Sequence, residues 1–376
     1  TLAALMDLEM AHLRSPRFSV VFAGEEGIGT GPTREFFQVS PLAIVDRQVG
    51  LFEQTEDGAA YHPKSGAKER LQWRMEGVGR LVGLALRNDC QMRVRLSRSF
   101  LRLVLGEPLD LEHLQDIDAQ LHKSLTYLLE NKNATDDVEA TFSIIEEEEE
   151  EMRKEVTVIE DSEEEGGASS QMSQHTPKKR RVVELVKGGS KVNVTESNKV
   201  EYVEKYATYK LVTGIKEHCK AFKQGLYAVV PKPALRIFSE HDLELLLCGL
   251  PSIDVEAWRA AARYSGQTLA GALSAESELA GWFWEFVASR DDTEKALLLK
   301  FCTGSTAVPA KGFMHLPGLH SECQFTLSCV GPGDGRLPTA STCFNLLKIP
   351  DYSTKAILEE RLHVALHYGA EGFSFS

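Results

Sequence analysis

The run Arg336-Leu337-Pro338-Thr339-Ala340-Ser341-Thr342-Cys343-Phe344-Asn345 leads directly into Leu346-Leu347-Lys348-Ile349-Pro350. A proline and a cluster of small hydroxyl residues predict a loop, and the apolar run after them predicts a short buried strand. Cys343, 33 residues from the end of the chain, therefore sits at a loop-to-strand junction, where a side chain is presented to a partner. By residue type alone a lone cysteine is more often a small buried hydrophobe. Its surroundings have to decide between the two.

Some forty residues upstream stands Phe301-Cys302-Thr303-Gly304-Ser305-Thr306-Ala307-Val308-Pro309-Ala310-Lys311-Gly312-Phe313. The two strings together resemble the catalytic lobe of HECT-type ubiquitin ligases. That family carries its nucleophile in Leu-Pro-x-x-x-Thr-Cys-Phe-Asn and a second string Phe-x-Thr-Gly-x-x-x-Val-Pro-x-x-Gly-Phe. Further stretches fit the same pattern: Arg34-Glu35-Phe36-Phe37, Gly79-Arg80-Leu81-Val82-Gly83-Leu84-Ala85, Ile237-Phe238 with Glu244 to Gly249, and the ending Glu371-Gly372-Phe373-Ser374-Phe375-Ser376. One departure is Ser341, where many members place a histidine before Thr-Cys, so no imidazole acts from that position here.

The resemblance implies an α+β, bilobal HECT fold. A mostly helical N-terminal lobe would span residues 1–249, with a small conjugating-enzyme-binding subdomain inserted at about 110–210. A hinge at 249–253, carrying Gly249 and Pro251, would lead to a smaller α/β catalytic lobe over 254–376. It also implies a fragment from the C-terminal part of a longer protein, since the first packed helix of such a domain would already be under way at Thr1.

Length and composition agree with this scale. A chain of 376 residues with 43% hydrophobic content can bury two or three cores. No apolar run approaches the roughly 18 residues that a membrane helix needs, and Asp7 and Glu9 stand where a secretory signal would be apolar. Seven scattered cysteines, an odd number without any Cys-x-x-Cys pair, argue for reduced thiols and against a zinc site. The expected setting is cytoplasmic, nuclear or both.

The net charge of −13 is local rather than general. Residues 136 to 165 hold 15 acidic and 2 basic side chains, enough to supply the whole excess. The remainder is near neutral, which gives a nucleic-acid surface no support. From Glu146 to Val182 the text runs through six consecutive glutamates, Asp161-Ser162-Glu163-Glu164-Glu165 and Pro177-Lys178-Lys179-Arg180-Arg181. Such density of like charge predicts a disordered insert over about 146–182. Pro177 to Arg181 also resembles a nuclear-import string and Ser162 an acid-directed kinase site, although a solvated loop of mixed charge explains both.

Elsewhere the apolar spacing predicts helices over Trp73 to Leu86, Ser97 to Leu105, Leu111 to Leu129, Asn198 to Tyr209, Thr213 to Tyr227, Glu240 to Leu247 and Thr354 to His367, and a strand over Phe18 to Phe22. Two weaker patterns have plain readings. Gly24 to Gly31 follows the expected strand, but Pro32 replaces the last glycine of a dinucleotide loop and no Gly-Lys-Ser/Thr follows, so a structural turn is expected. Glu359, His363 and His367 share a helix stripe at metal-ligand spacing, yet they flank the apolar stripe, where an exposed ion pair is commoner. No metal and no cofactor is expected.

Carried onto this chain, the resemblance makes Cys343 the nucleophile that holds ubiquitin as a thioester, with Thr342 orienting the attack. Arg336 would hold ubiquitin's tail or brace the loop, beside Asn345, and Phe373 would serve the transfer to lysine. The conjugating enzyme would dock on Leu121, Ser124, Leu125, Val138, Tyr202 and Tyr206, unless these pack the subdomain's own core. Partners are then a ubiquitin-conjugating enzyme, ubiquitin and protein substrates, with no nucleic acid and no membrane. Two rival readings are a cysteine hydrolase, which needs a histidine such as His363 or His367 folded back onto Cys343, and a silent ubiquitin-binding scaffold.

Overall fold

A computed structural model describes residues 2–15, 18–22, 30–66, 71–135, 139–149, 178–318 and 322–368. Gly24 to Gly29, Val138, Ser162, Pro177 and Phe373, together with most of the charged insert, lie outside the described residues. The chain divides into two compact units, Thr1–Leu109 with Gly214–Ser376, and Asp110–Thr213. Helices and sheets mix in an α+β fold.

In the first unit the helices Gln72–Arg87 and Lys216–Val229 form the central pair. Met75, Val78, Leu81, Val82 and Ala85 recur at helical spacing and are all buried, so hydrophobic burial fixes which face turns inward. What fixes the closeness is glycine. A Cβ on Gly225 would lie 1.9 Å from the Glu76 carbonyl oxygen, and one on Gly79 would lie 2.1 Å from that of Phe222. The two backbones touch because neither side chain exists there.

Around this pair pack β1 (Phe52–Gln54), antiparallel to β2 (Tyr61–Pro63), and the helix Arg98–Leu105. That helix starts where Ser97 Oγ accepts from Phe100 N at 3.3 Å and stops at Gly106, whose φ is +89°. Buried Glu244 accepts from Arg98 Nε at 2.7 Å and lies 3.2 Å from Arg95 Nε. The expected strand at Phe18 to Phe22 is absent. Val20 N donates instead to Thr33 Oγ1 at 3.1 Å, and Phe18 packs on Phe36 and Phe37, so tertiary packing overrides a pattern that suits a ladder.

The second unit opens with a 3-10 turn, Leu111–Asp116, and the helix Ala119–Glu130. Asp118 Oδ1 accepts from Leu121 N at 2.8 Å and so caps a new helix where the periodicity reads as one continuous element. β3 (Ser143–Glu149) and β4 (Lys178–Glu184) then pair antiparallel. This corrects the expectation of disorder from 146 to 182 at both its ends. In register, Glu146 faces Arg181, Glu147 faces Arg180, Glu148 faces Lys179 and Glu149 faces Lys178. Like charges along one strand repel, and the register sets Glu146 opposite Arg181, where opposite charges attract across a ladder. The unit's core gathers Leu114, Leu125, Leu128, Phe142, Ile144, Tyr202 and Val203.

The first unit resumes at Gly214 and carries a second hydrophobic cluster, distinct from the one around the central helix pair. β5 (Arg263–Thr268), β6 (Gly271–Ala272), β7 (Thr326–Pro332), β8 (Thr339–Ser341) and β9 (Leu346–Asp351) form a sheet of order β6-β5-β7-β9-β8. β5, β7 and β9 run parallel, while β6 and β8 are antiparallel at the edges. Leu327 pairs with Leu347 and Cys329 with Ile349, all buried, as the apolar run after Cys343 predicts. Trp258 stacks on Phe313 with ring centroids 5.2 Å apart, and Phe283, Trp284 and Phe325 close around it. No described helix is long and apolar enough to cross a membrane.

The close helix crossing yields a first prediction. Gly225→Ala should destabilise the protein by about 1–3 kcal/mol, the range for overpacking a tight site, because the obstacle is backbone and cannot rotate away. Urea unfolding measures this. A midpoint equal to wild type would show that the helices part at no cost.

Candidate active site

The sequence around Cys343 folds as a tight turn between two strands. β8 ends at Ser341, the 3-10 turn Thr342–Phe344 carries the thiol, and β9 begins at Leu346. Between turn and strand stands Asn345 in the left-handed conformation, φ 49° and ψ 41°. Asparagine tolerates that region better than most residues. Asn345 is 0% exposed, and its Nδ2 donates to Pro317 O at 3.0 Å and to Cys323 O at 2.7 Å. Its own carbonyl accepts from Thr326 N at 2.9 Å, at the foot of β7. The turn is thereby tied to the segment before β7 and to the sheet.

A second tie comes from the other cluster of the same unit. Arg34, on the helix Thr30–Ile44, donates from Nη1 to Thr303 O at 3.1 Å and to Thr342 O at 3.3 Å. Its Nη2 donates to Gly318 O at 2.9 Å. The helix Asp292–Thr303, whose last residue supplies one of those carbonyls, packs against the 3-10 turn. Cys343 is left half-buried and Phe344, beside it, is 55% exposed. The residue is only partly covered while the backbone that carries it is held.

The other cysteines are differently placed. Burial pushes the thiols of Cys90 up to about 12 and Cys248 up to about 11. It also raises those of Cys219, Cys302 and Cys329. Thiolate is the reactive form, so these five are poor nucleophiles near neutral pH. Cys323, half-buried, donates from Sγ to Phe344 O at 3.4 Å and so adjoins the turn.

Arg336 braces its loop. Its Nη2 donates to the carbonyls of Val330, Gly331 and Pro332 at 3.2, 2.9 and 2.7 Å, and Tyr352 Oη donates to Arg336 O at 2.8 Å. The guanidinium end facing this loop is occupied by it. At the expected hinge, Gly249 has φ +77°, a Cβ on it would lie 2.2 Å from Val308 O, and Leu250 N donates to that same oxygen at 2.8 Å. Only glycine fits there. Pro251 is exposed.

In the second unit the expected docking residues separate into two layers. Leu125 and Tyr202 are only 4% and 7% exposed, and Tyr202 lies edge-on to Phe142 at 5.4 Å. These two are core, a correction to their reading as surface. Tyr206 sits one turn beyond Tyr202 with rings 5.8 Å apart and is half-buried, as is Leu121, while Ser124 is exposed. A helix of this unit has one face for its core, and the inner members of an apolar stripe fill it first.

The stripe on the helix Lys355–Tyr368 is rearranged too. Glu359 lies 3.6 Å from Lys355 Nζ, whereas Glu294 joins His363 and His367 with ligand atoms all within 4.8 Å. The two imidazoles stack at 4.1 Å, and His367 Nδ1 is 3.0 Å from His363 O. Among the described residues no hydrogen bond joins either histidine to Cys343. What sequence reasoning missed is Arg34. The available signal was a charged residue beside Phe37 on a face that buries Thr33, Phe37 and Gln38.

Residues 39–376 match a family described as HECT-domain (ubiquitin-transferase). The chain is similar to E3 ubiquitin-protein ligase HACE1 of Gallus gallus, 34% identical over 361 residues, covering 95% of this chain and 35% of that protein. It is similar to human HACE1 at 34% identity, over 95% of this chain and 36% of that protein. E3 ubiquitin-protein ligase TOM1 of Saccharomyces cerevisiae is 32% identical over 368 residues, which is 97% of this chain and 10% of TOM1. The chain thus spans about a third of the length of the HACE1 relatives and a tenth of TOM1.

The geometry at Asn345 yields a second prediction. Asn345→Ala removes the donors to two part-buried carbonyls, at about 1–3 kcal/mol. Asn345→Gly should recover only the backbone part of that loss. Thermal and urea unfolding of the three proteins decide it, and equal stability of all three would show that the side chain anchors nothing.

Proposed function

As this chain belongs to the HECT-domain (ubiquitin-transferase) family, we propose that it accepts ubiquitin on Cys343 and passes it to lysines of protein substrates. A conjugating enzyme carries ubiquitin as a thioester. The Cys343 thiolate attacks the thioester carbonyl carbon, a new carbon–sulfur bond forms, and the conjugating enzyme's cysteine leaves as thiolate. A neutral lysine amine then attacks the new thioester, and the Cys343 sulfur is the leaving group. Exchange of one thioester for another is nearly isoenergetic, so the first step needs an accessible thiol and good positioning more than a strong base. The observation that carries this reading is the half-buried Cys343 on a turn whose backbone is fixed by Asn345 and Arg34.

Thr342 orients the turn in this proposal, and Phe373 acts in the second step, on lysine. Gly249 and Pro251 form the pivot that lets one thiol meet two partners. The conjugating enzyme docks on the Asp110–Thr213 unit, with Leu121, Ser124 and Tyr206 at the surface, Leu125 and Tyr202 beneath them, and Val138 nearby in the chain. Residence in cytoplasm, nucleus or both belongs to the same proposal. Pro177 to Arg181 would serve as the import address.

The test is incubation with activating enzyme, a panel of conjugating enzymes, ubiquitin and ATP, read on non-reducing gels. Wild type should form a thiol-sensitive adduct, Cys343→Ala none, and Cys343→Ser a thiol-resistant oxyester. Substituting Cys302, Cys323 or Cys329 should leave the adduct intact. In pulse-chase form, Phe373→Ala should charge normally yet discharge to lysine at least tenfold more slowly, about 1.4 kcal/mol in the barrier. An adduct on Cys343→Ala would place the nucleophile elsewhere.

The two layers of the second unit separate in the same way. Tyr206→Ala should weaken conjugating-enzyme binding by about 1–3 kcal/mol with an unchanged melting point. Leu125→Ala should cost about 2–5 kcal/mol of stability, the range for a truncated core leucine. Calorimetric binding and thermal unfolding measure the two effects, and a melting loss for Tyr206→Ala without an affinity loss would remove it from the docking surface.

A further inference from the structure

Arg34 is 7% exposed, and among the described residues its hydrogen-bond acceptors are three carbonyls: Thr303, Gly318 and Thr342. These lie 269, 284 and 308 residues away in sequence and surround the turn that carries Cys343. Burying a cation is costly, and an apolar side chain of similar volume often stabilises a fold as well or better. A guanidinium in this position therefore answers a need other than packing. Thr303 O belongs to the last residue of its helix, where the macrodipole favours a positive charge. Burial pulls the guanidinium below its ordinary range, while the thiols of Cys90, Cys343 and Cys323 act in the other direction.

We propose that Arg34 is a positioning residue for ubiquitin transfer, orienting the Cys343 sulfur by holding the carbonyl of Thr342. The proposal rests on the reading of Cys343 as the ubiquitin carrier. Its physical basis is the planarity of the peptide bond. Holding the Thr342 C=O restrains the plane of the Thr342–Cys343 peptide, and so places the Cys343 N and Cα from which the side chain departs. Asn345 pins the other end of the same turn, its N donates to Thr342 O at 3.3 Å, and Ser341 pairs with Leu346, so Arg34 adds a side-chain restraint on a carbonyl that the backbone alone holds by one long bond. The planar fork serves carbonyls in different directions at once, which a single ammonium does less well.

Gln38, one helical turn beyond Arg34, supplies an internal control. It is also buried, accepts from Thr306 Oγ1 at 3.1 Å and donates to Gln91 O at 2.8 Å, yet no hydrogen bond joins it to the Cys343 turn. A substitution there loosens the same helix face without releasing Thr342.

The experiment is single-turnover charging of the full chain from a ubiquitin-loaded conjugating enzyme, with the donor concentration varied. Arg34→Ala and Arg34→Lys should lower the saturating rate at least tenfold while the half-saturating donor concentration stays within twofold. Gln38→Ala should stay within threefold of wild type. Millimolar methylguanidinium should restore a measurable part of the rate of Arg34→Ala and leave wild type unchanged, a response that general loss of structure would not give. Wild-type charging by Arg34→Ala would overturn the proposal. So would a loss matched by Gln38→Ala and untouched by methylguanidinium. Absence of an adduct on the wild type would instead sink the Cys343 reading itself.

Discussion

A nucleophile of the kind proposed at Cys343 must be reachable by a large partner while its backbone stays fixed, and hydrogen bonds to carbonyl groups can reconcile the two demands. Asn345 donates to Pro317 and Cys323, and Arg34 donates to Thr303, Gly318 and Thr342. Neither side chain contacts the thiol by a hydrogen bond. The scheme spends polar groups on the main chain and leaves the sulfur uncommitted. A sheet strand could not do this, because its ladder would alternate side chains rigidly to two faces. A free loop could not either, because it would lose the entropy of ordering anew at each turnover.

The same economy shows in the thiols. Burial raises the pKa of Cys90, Cys219, Cys248, Cys302 and Cys329, which keeps them as small hydrophobic fillers of the two clusters. A chain that uses cysteine for packing and for chemistry has to separate the roles by environment rather than by residue type. The turn at Thr342–Phe344 provides that separation, with the exposed Phe344 on one side and a buried Asn345 on the other.

Much of this was legible in the sequence because it is local. The loop-to-strand junction at Cys343, the apolar strand Leu346–Asp351 and the helices Gln72–Arg87 and Arg98–Leu105 follow from periodicity and from punctuation by proline, serine and glycine. What resisted reading depends on partners distant in the chain. Glu146 to Glu149 look disordered until Lys178 to Arg181 are set across from them, and nothing local announces that register. Leu125 and Tyr202 have the types expected of a docking surface, but residue type does not say which of an apolar stripe's members face inward. Arg34 lies in a quoted motif, yet its acceptors begin 269 residues later.

Gly249 lies at the proposed hinge. The residue where the catalytic part is proposed to pivot is packed so tightly on Val308 that a methyl group would collide with its carbonyl, and Leu250 donates to the same oxygen. The Leu250–Val308 hydrogen bond at this proposed pivot stands five residues along the chain from the Thr303 carbonyl that Arg34 holds. On that proposal one short segment, residues 303–308, carries both the pivot contact and one of the Arg34 contacts. Close packing in general favours discrete arrangements over continuous deformation, which is what a single thiol would need if, as proposed, it serves two partners in turn.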